Sequence, residues 1–373
     1  MPLTCCLWLQ RFYLFVEGQA ATPGSVAVLR RLPGVRVILR TPDLDEAHSN
    51  SRIWGEKWLA SFFNKPCNYE LFVRQNLNLE TAISAALGQG DIGWIVHIDT
   101  DELLLPGGTP GYSLQQLMDS VPANVDTLVF PNYESAVERD NVVDPLVEVT
   151  LFKRNFDHVI KDVYFGRYKD MTRGNPNYFL TYGNGKAAAR LVPGLRPNGA
   201  HRFHNYLKPP REAKALEAAV LHYTYARFED VRSRRGRCQC GFSEEEVKKC
   251  FILEFDRWVF RKASEEADDD KLRAWYRQHV VWTDAGFVRT QLANGLFGRI
   301  HTPALLVASL DAYAAQEDAQ DLAEAAAKDA EARVGAAGVV LGRVGVAGKP
   351  ALEEGPSPAR RAQTPREAAP SGQ

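Results

Sequence analysis

Short apolar runs alternate with longer amphipathic segments along the first half of the chain. The apolar runs are rich in β-branched and aromatic residues, as strands are, and the segments between them repeat apolar residues at helical spacing. The predicted strands are Phe12–Val16, Val35–Leu39, Trp94–Ile98 and Thr127–Pro131, and the predicted helices are Ser25–Leu32, Tyr69–Leu87 and Ser113–Val121. This β-α-β alternation predicts an α/β fold with a mainly parallel sheet and helices on its faces.

Loops and short strands are predicted from residue 132 to 225, and helices after it. Strand patterns occur at Glu148–Lys153 and Ala218–Tyr225. Ser243 and Glu246 form a capping box that opens a helical part over 243–312. The helices predicted in and beyond this part include Lys271–Val280, Phe287–Leu296 and an Ala-rich helix at Pro303–Arg333. We expect one domain over 12–312, a poorly defined stretch at 1–11, and an Ala/Gly/Pro-rich helix with a disordered tail over 313–373.

Charge and hydropathy narrow the classes of function. The 373 residues carry a formal net charge of −1, which provides no basic field for nucleic acid, and no nucleic-acid-reading motif occurs. No run of about 18 apolar residues is present, and the first ten residues lack the basic and apolar regions of a secretory signal.

The cysteines leave the redox state open. They are Cys5, Cys6, Cys67, Cys238, Cys240 and Cys250. The last three do not have a standard zinc spacing. The four in the body of the chain could form two disulfides in an oxidising lumen or remain reduced.

Two carboxylates, Asp99 and Asp101, follow the predicted strand Trp94–Ile98. Residues i and i+2 of a strand point to the same side, so the pair could converge on one cation where an α/β sheet forms its ligand crevice. Oxygen ligands favour Mn²⁺ or Mg²⁺, which commonly bind a diphosphate. The alternative is a solvated acidic turn, because so short a motif often occurs by chance.

Two hydrolase classes fit the acidic motif less well. An aspartyl phosphatase would have Thr at the position that Leu103 occupies. A glycosidase also fits less well, because its two carboxylates stand on either side of the sugar bond, about 5 to 10 Å apart. Carboxylates two residues apart on one strand would instead share one ion.

Basic and histidine residues later in the chain are candidates for binding an anion. Lys186 and Arg190 follow the turn at Asn184-Gly185, which could present two cations or be a plain surface hairpin. His222 lies in an apolar strand, where it is either a third metal ligand or a hydrogen-bonded core residue. His201 and His204 could contact a diphosphate or sugar, or cap a loop.

A general base is expected in the loop after the strand Thr127–Pro131. Its candidates are Glu134, Glu138 and Asp140. An inverting transfer needs one carboxylate to deprotonate the acceptor hydroxyl. The absence of an obvious nucleophile favours inversion, and an ordinary solvated loop is the alternative.

These segments together resemble the plant KOBITO (elongation defective) family of glycosyltransferase-like proteins, from Phe12 to about Ala312. The most specific stretches are FVEGQAATPG, SRIWGEKWLASFFNKPCNYELFV, HIDTDEL, FPNYESAVERD, RGNPNYFLTYGNGKAAAR, LRPNGAHRFHNY, AAVLHYTY and WYRQHVVWTD. The resemblance implies a GT-A type nucleotide-sugar transferase fold. It also implies a nucleotide-sugar donor, a glycan or cell-wall-related acceptor, and a role in cellulose formation.

The resemblance also implies roles for individual residues. Asp99 and Asp101 would hold a divalent ion on the donor diphosphate, with His222 as the late histidine. The basic and histidine block (Lys186, Arg190, His201 and His204) matches substrate-binding residues of related transferases less specifically.

The family further implies a type II membrane protein of the Golgi or plasma membrane, a setting that favours disulfides. A GT-A domain opens with a strand and loop that grip the nucleotide base, and the sequence leads us to expect that this first strand is missing before Phe12. Two hypotheses follow: a metal-dependent glycosyltransferase that uses a UDP-sugar, or a non-catalytic scaffold in cell-wall or membrane assembly.

Overall fold

The structure is a computed structural model that describes residues 11–57, 68–236 and 241–312, all within a unit that ends at Ala312. The strands are β1 Phe12–Val16, β2 Val35–Leu39, β3 Trp94–Val96, β4 Glu102–Leu105, β5 Thr127–Phe130, β6 Asn132–Ser135, β7 Leu151–Lys153, β8 Lys186–Arg190, β9 Leu195–Asn198, β10 Arg202–Asn205, β11 Glu212–Lys214, β12 Ala219–His222 and β13 Phe297–Arg299. The helices are α1 Pro23–Arg31, α2 Pro42–Ser49, α3 Asn68–Gln89, α4 Leu114–Ser120, α5 Pro145–Glu148, α6 Lys161–Thr172, α7 Phe228–Arg232, α8 Glu244–Cys250, α9 Glu254–Glu265, α10 Asp269–His279 and α11 Ala285–Ala293. Residues 302–312 are also helical.

The strands form a mixed rather than a mainly parallel arrangement. In the described residues the sheets have the orders β1-β2, β11-β5-β8-β3, β13-β7-β6-β12-β4 and β10-β9. Of the nine strand pairs among the described residues, three are parallel, β1 with β2, β11 with β5, and β12 with β6, and six are antiparallel. The predicted α/β class is therefore confirmed, but the prediction of a mainly parallel sheet is wrong. It failed because strands from the loop-rich region, such as β8, insert antiparallel between strands of the first half.

Local sequence explains where several elements begin. Thr22 and Thr41 cap α1 and α2, each followed by a proline in the first turn. Asp144 caps the short helix α5, whose last residue is Glu148. The predicted strand Glu148–Lys153 is therefore shorter than expected and begins at Leu151.

The largest core cluster lies between the five-stranded sheet and the C-terminal helices. Strand β12 contributes Leu221, α9 contributes Phe255 and Val259, and α10 contributes Tyr276, all at most 1% exposed. The Tyr276 hydroxyl donates to the backbone carbonyl of Tyr225, so this buried polar group is satisfied. The predicted helical region therefore packs directly against the sheet that carries His222.

A row of ionisable side chains crosses the five-stranded sheet. The registers place Lys153 of β7 opposite Glu134 of β6, Glu134 beside His222 of β12, and His222 opposite Glu102 of β4. All four are buried. The Lys153 ammonium donates to Glu134 at 2.7 Å and to the Tyr178 carbonyl at 2.9 Å. We call these four residues the buried polar row.

Several expectations fall outside the described residues. They are those for residues 1–10 and 313–373 and for every cysteine except Cys250, which is disulfide-bonded. Within the described part of the chain, no helix combines the length and apolar character that crossing a membrane requires.

Gly185 holds a turn that only glycine can form. Its φ is +64°, and a Cβ there would lie 1.9 Å from the Phe130 carbonyl oxygen. We expect Gly185→Ala to destabilise the fold by about 2–5 kcal/mol, through left-handed strain and overpacking. Gly174 also has positive φ (+77°) but open space around it, so Gly174→Ala should cost only about 1 kcal/mol. Urea unfolding of both variants measures the loss in free energy of unfolding. Equal losses in the two variants would contradict the explanation that the Phe130 carbonyl crowds the Cβ at position 185.

Removing one member of the Lys153–Glu134 pair should be costly because it leaves a buried charge alone. We expect Lys153→Met to lower the free energy of unfolding by about 3–5 kcal/mol. Adding Glu134→Gln should recover part of that loss, since the amide oxygen still accepts a backbone bond without a charge. The control is Arg277→Ala in the exposed pair with Asp140, which should cost at most about 1 kcal/mol. A double variant less stable than Lys153→Met would argue against the charge explanation.

Candidate functional site

The acidic motif lies in a tight turn between β3 and β4. Strand β3 ends at Val96, two residues earlier than predicted, and β4 begins at Glu102. The Glu102 amide donates to the Asp99 carbonyl at 3.1 Å, and the Glu102 carboxylate accepts from the Asp99 amide at 2.9 Å. Asp99 and Asp101 therefore are not on a strand, and the strand alternation that predicted their convergence does not apply to them.

The Asp99 carboxylate is turned toward a buried lysine. The Lys186 ammonium, 0% exposed, lies 2.6 Å from Asp99 Oδ2 and also donates to the Ala200 carbonyl. Gln75 of α3 donates to Oδ1 at 3.0 Å, and His97 Nε2 lies 3.7 Å from the same oxygen. Burial raises the pKa of the Asp99 carboxyl, but Lys186 and His97 outweigh it, so the pKa lies below its ordinary value. Asp99 is therefore ionised at neutral pH.

The Asp101 carboxylate points to a buried histidine. Its Oδ2 lies 3.6 Å from His222 Nε2, and its side chain is 55% exposed while that of His222 is 5% exposed. Burial lowers the pKa of His222, whereas Asp101, Glu102 and Glu134 raise it to above its ordinary value. The Thr224 hydroxyl also contacts the ring. Strand pairing produces this contact, because the Tyr223 amide donates to the Asp101 carbonyl.

Glu102, Tyr182 and His201 complete the buried side of the site. The Tyr182 hydroxyl donates to Glu102 at 3.0 Å, and its ring stacks on His222 with 5.2 Å between centroids. Burial raises the pKa of Glu102 against the opposing charge of Lys186. His201 lies edge-on to Tyr182, and burial together with Lys186 lowers its pKa to about 4. His201 is thus neutral at pH 7.

Two of the four predicted anion-binding residues, Arg190 and His204, lie away from the acidic turn. Lys186 and Arg190 are at opposite ends of β8, about 13 Å apart for four residues of strand. Arg190 donates to the carbonyls of Val121 and Val125 and lies over the Trp94 ring. His204 is on β10 opposite Arg196. Only Lys186 and His201 of this group lie beside the acidic turn.

The three predicted base candidates are engaged elsewhere. Glu134 is fully buried, bound to Lys153 and to the amides of Leu180 and Thr181. Glu138 pairs with Arg299, and Asp140 pairs with Arg277. Of the described residues, none of these three carboxylates is among those that line the cleft beside Asp101.

The acidic turn opens into a cleft of about 2100 Å³. Cleft residues that the sequence reasoning missed include Gln75, Glu102, Tyr182, Arg234 and Asp256. The Arg234 guanidinium interacts electrostatically with the Asp101 carboxylate and donates a hydrogen bond to Asp256 at 3.3 Å. Asp256 also accepts a hydrogen bond from the Tyr225 hydroxyl. Two features of the sequence could have identified residues of this group: the basic run at 232–236 for Arg234, and the position of Tyr182 just before the predicted turn at Asn184-Gly185.

The donor set at the acidic turn suits a hard divalent cation in chemistry and only partly in geometry. Two carboxylates and an imidazole are ligands that Mn²⁺ accepts. Asp101 and His222 face each other, but Asp99 Oδ2 is paired with the Lys186 ammonium instead of pointing toward them. Among the described residues, accordingly, no group of three His, Cys, Asp or Glu side chains is arranged to hold a metal ion.

Two similar proteins of Arabidopsis thaliana place the chain in context. Both are named glycosyltransferase-like. One is 58% identical over 299 residues, which cover 80% of this chain and 58% of that protein. The other is 53% identical over 302 residues, which cover 81% of this chain and 66% of that protein. The chain thus spans roughly three-fifths of the length of these relatives, and no family model matches it. Over the matched four-fifths of its length, the chain is a homologue of glycosyltransferase-like plant proteins.

Proposed function

We propose that the chain is a metal-dependent glycosyltransferase that binds a UDP-sugar at the acidic turn and transfers the sugar to a glycan or cell-wall-related acceptor. The observation that carries the proposal is the Asp101–His222 pair, a half-exposed carboxylate beside a buried imidazole on the wall of a large cleft. The names of the homologues support the reaction class. The quoted sequence stretches support the finer assignment to the KOBITO group, with a GT-A fold and a Golgi or plasma-membrane location.

In this proposal Asp99, Asp101 and His222 would hold Mn²⁺ or Mg²⁺, with Asp99 binding through an oxygen that Lys186 or Gln75 releases. The cation would neutralise charge on the leaving diphosphate. Lys186 keeps Asp99 ionised and adds positive charge beneath the turn. Tyr182 fixes Glu102 and the His222 ring. His201, neutral at pH 7, donates from Nδ1 to the Gly185 carbonyl at 2.9 Å, so its Nε2 can only accept a hydrogen bond, for example from a sugar hydroxyl.

The base that we propose is Asp256 rather than a residue of the loop Glu134 to Asp140. Asp256 lies in the first turn of α9 and lines the cleft. Its contacts with Arg234 and the Tyr225 hydroxyl orient the carboxylate. A general base must reach the acceptor hydroxyl directly or through one water. Inversion of the anomeric centre is the outcome expected of such a base.

A non-catalytic scaffold is the second candidate function. The observation that favours it is the engagement of both Asp99 oxygens, one by Lys186 and one by Gln75. A chain that kept this arrangement permanently would retain the fold and the cleft without holding a cation through Asp99.

The binding prediction concerns UDP and Asp101. We expect calorimetric titration of the purified chain with UDP to show binding with Mn²⁺ and none after chelation. Asp101→Ala should weaken the Mn²⁺-dependent binding at least tenfold, because the most accessible anionic ligand is lost. The matched control is Asp119→Ala, which removes another carboxylate of the same cleft and should leave binding unchanged. Binding by Asp101→Ala that equals that of the unaltered chain would refute the assigned role.

The catalytic prediction separates the two sets of base candidates. With a panel of UDP-sugars, Asp256→Asn should reduce UDP release by about 10²-fold or more while keeping UDP affinity. Asp140→Asn should change neither quantity, since its carboxylate is outside the cleft. The reverse pattern would return the base to the loop Glu134 to Asp140. Mn²⁺-dependent binding without turnover by the unaltered chain on any donor would favour the scaffold.

A further inference from the structure

One arginine of the cleft lies beside the acidic turn. Within the described part of the chain, the arginine and lysine side chains that line the cleft are those of Arg11, Arg227 and Arg234. Arg11 pairs with Asp91 near the start of β3, at the other end of that strand from the acidic turn. Arg227 pairs with Asp230 in a capping box. The Arg234 charge instead interacts with the Asp101 carboxylate, so this side chain is placed to meet a ligand that the acidic turn holds.

Two aromatic rings fix the Arg234 guanidinium at the wall of the cleft. Its Cζ lies 5.1 Å from the centroid of the Tyr225 ring and 5.8 Å from that of the Phe251 ring. The side chain is 16% exposed. Asp256 accepts a hydrogen bond from Nη2 at 3.3 Å, which uses one of the five N–H donors of a guanidinium. Arg234 can therefore contact Asp256 and an anion in the cleft at the same time.

Tyr225 has a backbone conformation that is rare for an aromatic residue. Its φ is +50° and its side chain is 2% exposed. Such strain persists where several contacts over-determine it, and it is concentrated at functional sites. The Tyr225 carbonyl accepts from the Tyr276 hydroxyl at 2.9 Å. Its own hydroxyl donates to Asp256, and its ring lies beneath Arg234. The strained residue thus positions both members of the Arg234–Asp256 pair.

We propose that Arg234 binds the terminal phosphate of the nucleoside diphosphate, with one edge of its guanidinium on Asp256 and another on the phosphate. The inference rests on the proposed function, because a cation at Asp101 and His222 is what brings the diphosphate to this wall. Mn²⁺ offsets only part of the charge of a diphosphate. A guanidinium then adds a two-pronged contact to the phosphate oxygens, which an ammonium does not provide.

The contribution of Arg234 to the transfer follows from where charge moves. In the proposed inverting step the acceptor oxygen bonds to the anomeric carbon while the bond from that carbon to the terminal phosphate oxygen breaks. The electron pair of the broken bond stays on the phosphate oxygen, and the acceptor proton moves to Asp256. The phosphate gains one negative charge as Asp256 loses one, and both are partners of Arg234. The same guanidinium therefore stabilises the base before the step and the leaving group after it.

The test compares UDP with UMP, which lacks the terminal phosphate. Affinities for the full chain are measured with Mn²⁺ present, for UDP by calorimetry and for UMP by its displacement of UDP. We expect Arg234→Gln to weaken UDP binding at least tenfold and UMP binding less than threefold, because the lost contact is to the terminal phosphate. Arg234→Lys should weaken UDP binding about threefold, since it keeps the charge without the two-pronged contact.

Two other arginines provide matched controls. Arg227→Gln removes the same charge from the same cleft. Arg232→Gln removes it from the neighbouring ion pair with Glu229, at a position that is not among the cleft residues. Both variants should bind UDP within about twofold of the unaltered chain. Circular dichroism establishes that each variant is folded, and if Arg234→Gln is not, Arg234→Lys carries the same comparison of UDP with UMP.

Three results would overturn the inference: Arg234→Gln binds UDP with unchanged affinity, it loses affinity for UDP and UMP to the same extent, or Arg227→Gln loses as much as Arg234→Gln does. Where the unaltered chain binds UDP with Mn²⁺, any of these results overturns the role of Arg234 alone. Failure of the unaltered chain to bind UDP overturns the proposed function together with this inference, so the two failures are distinguishable.

Discussion

The pairing of buried lysines with buried carboxylates is the constraint on which the site depends. Lys153 neutralises Glu134, and Lys186 lies between Asp99 and Glu102, in a part of the protein where unpaired charge is very unfavourable. A slip of one residue in any strand of the buried polar row would move its charged side chain to the other face. The row therefore specifies strand register, and the register in turn places His222 beside Asp101.

The same constraint separates the two aspartates of the acidic motif. Asp99 faces the lysine of one sheet, and Asp101 faces the histidine of the other. The turn at Thr100 thus joins the sheet that carries Lys186 to the sheet that carries His222. Asp99 is held in place by strong contacts, while Asp101 remains half exposed to the cleft. A ligand that enters the cleft would meet Asp101 first, with Asp99 behind it.

Sequence periodicity located most elements and failed where a single residue decides the geometry. The strand Val35–Leu39 and the helix around Tyr69 to Leu87 agree with β2 and α3 to within about two residues. The pattern of Trp94 to Ile98 hid the end of β3 at Val96, because Ile98 continues the apolar alternation. The separation of Arg190 from Lys186, and the place of Asp256 in the cleft, depend on long-range strand and helix packing that local spacing does not encode.

The charge distribution at the acidic turn favours a cation over an anion as the first ligand. Asp99, Asp101 and Glu102 bring three carboxylates together, and among the described residues Lys186, the His222 and His97 rings and Arg234 are the basic groups that face them. Lys186 is already shared between two of the three. A free diphosphate would meet the half-exposed Asp101 carboxylate, and a divalent cation bound there would reverse that repulsion. A non-catalytic scaffold does not need a bound cation, whereas the proposed glycosyltransferase does. The dependence of nucleotide binding on the cation therefore distinguishes these two hypotheses more directly than the fold does.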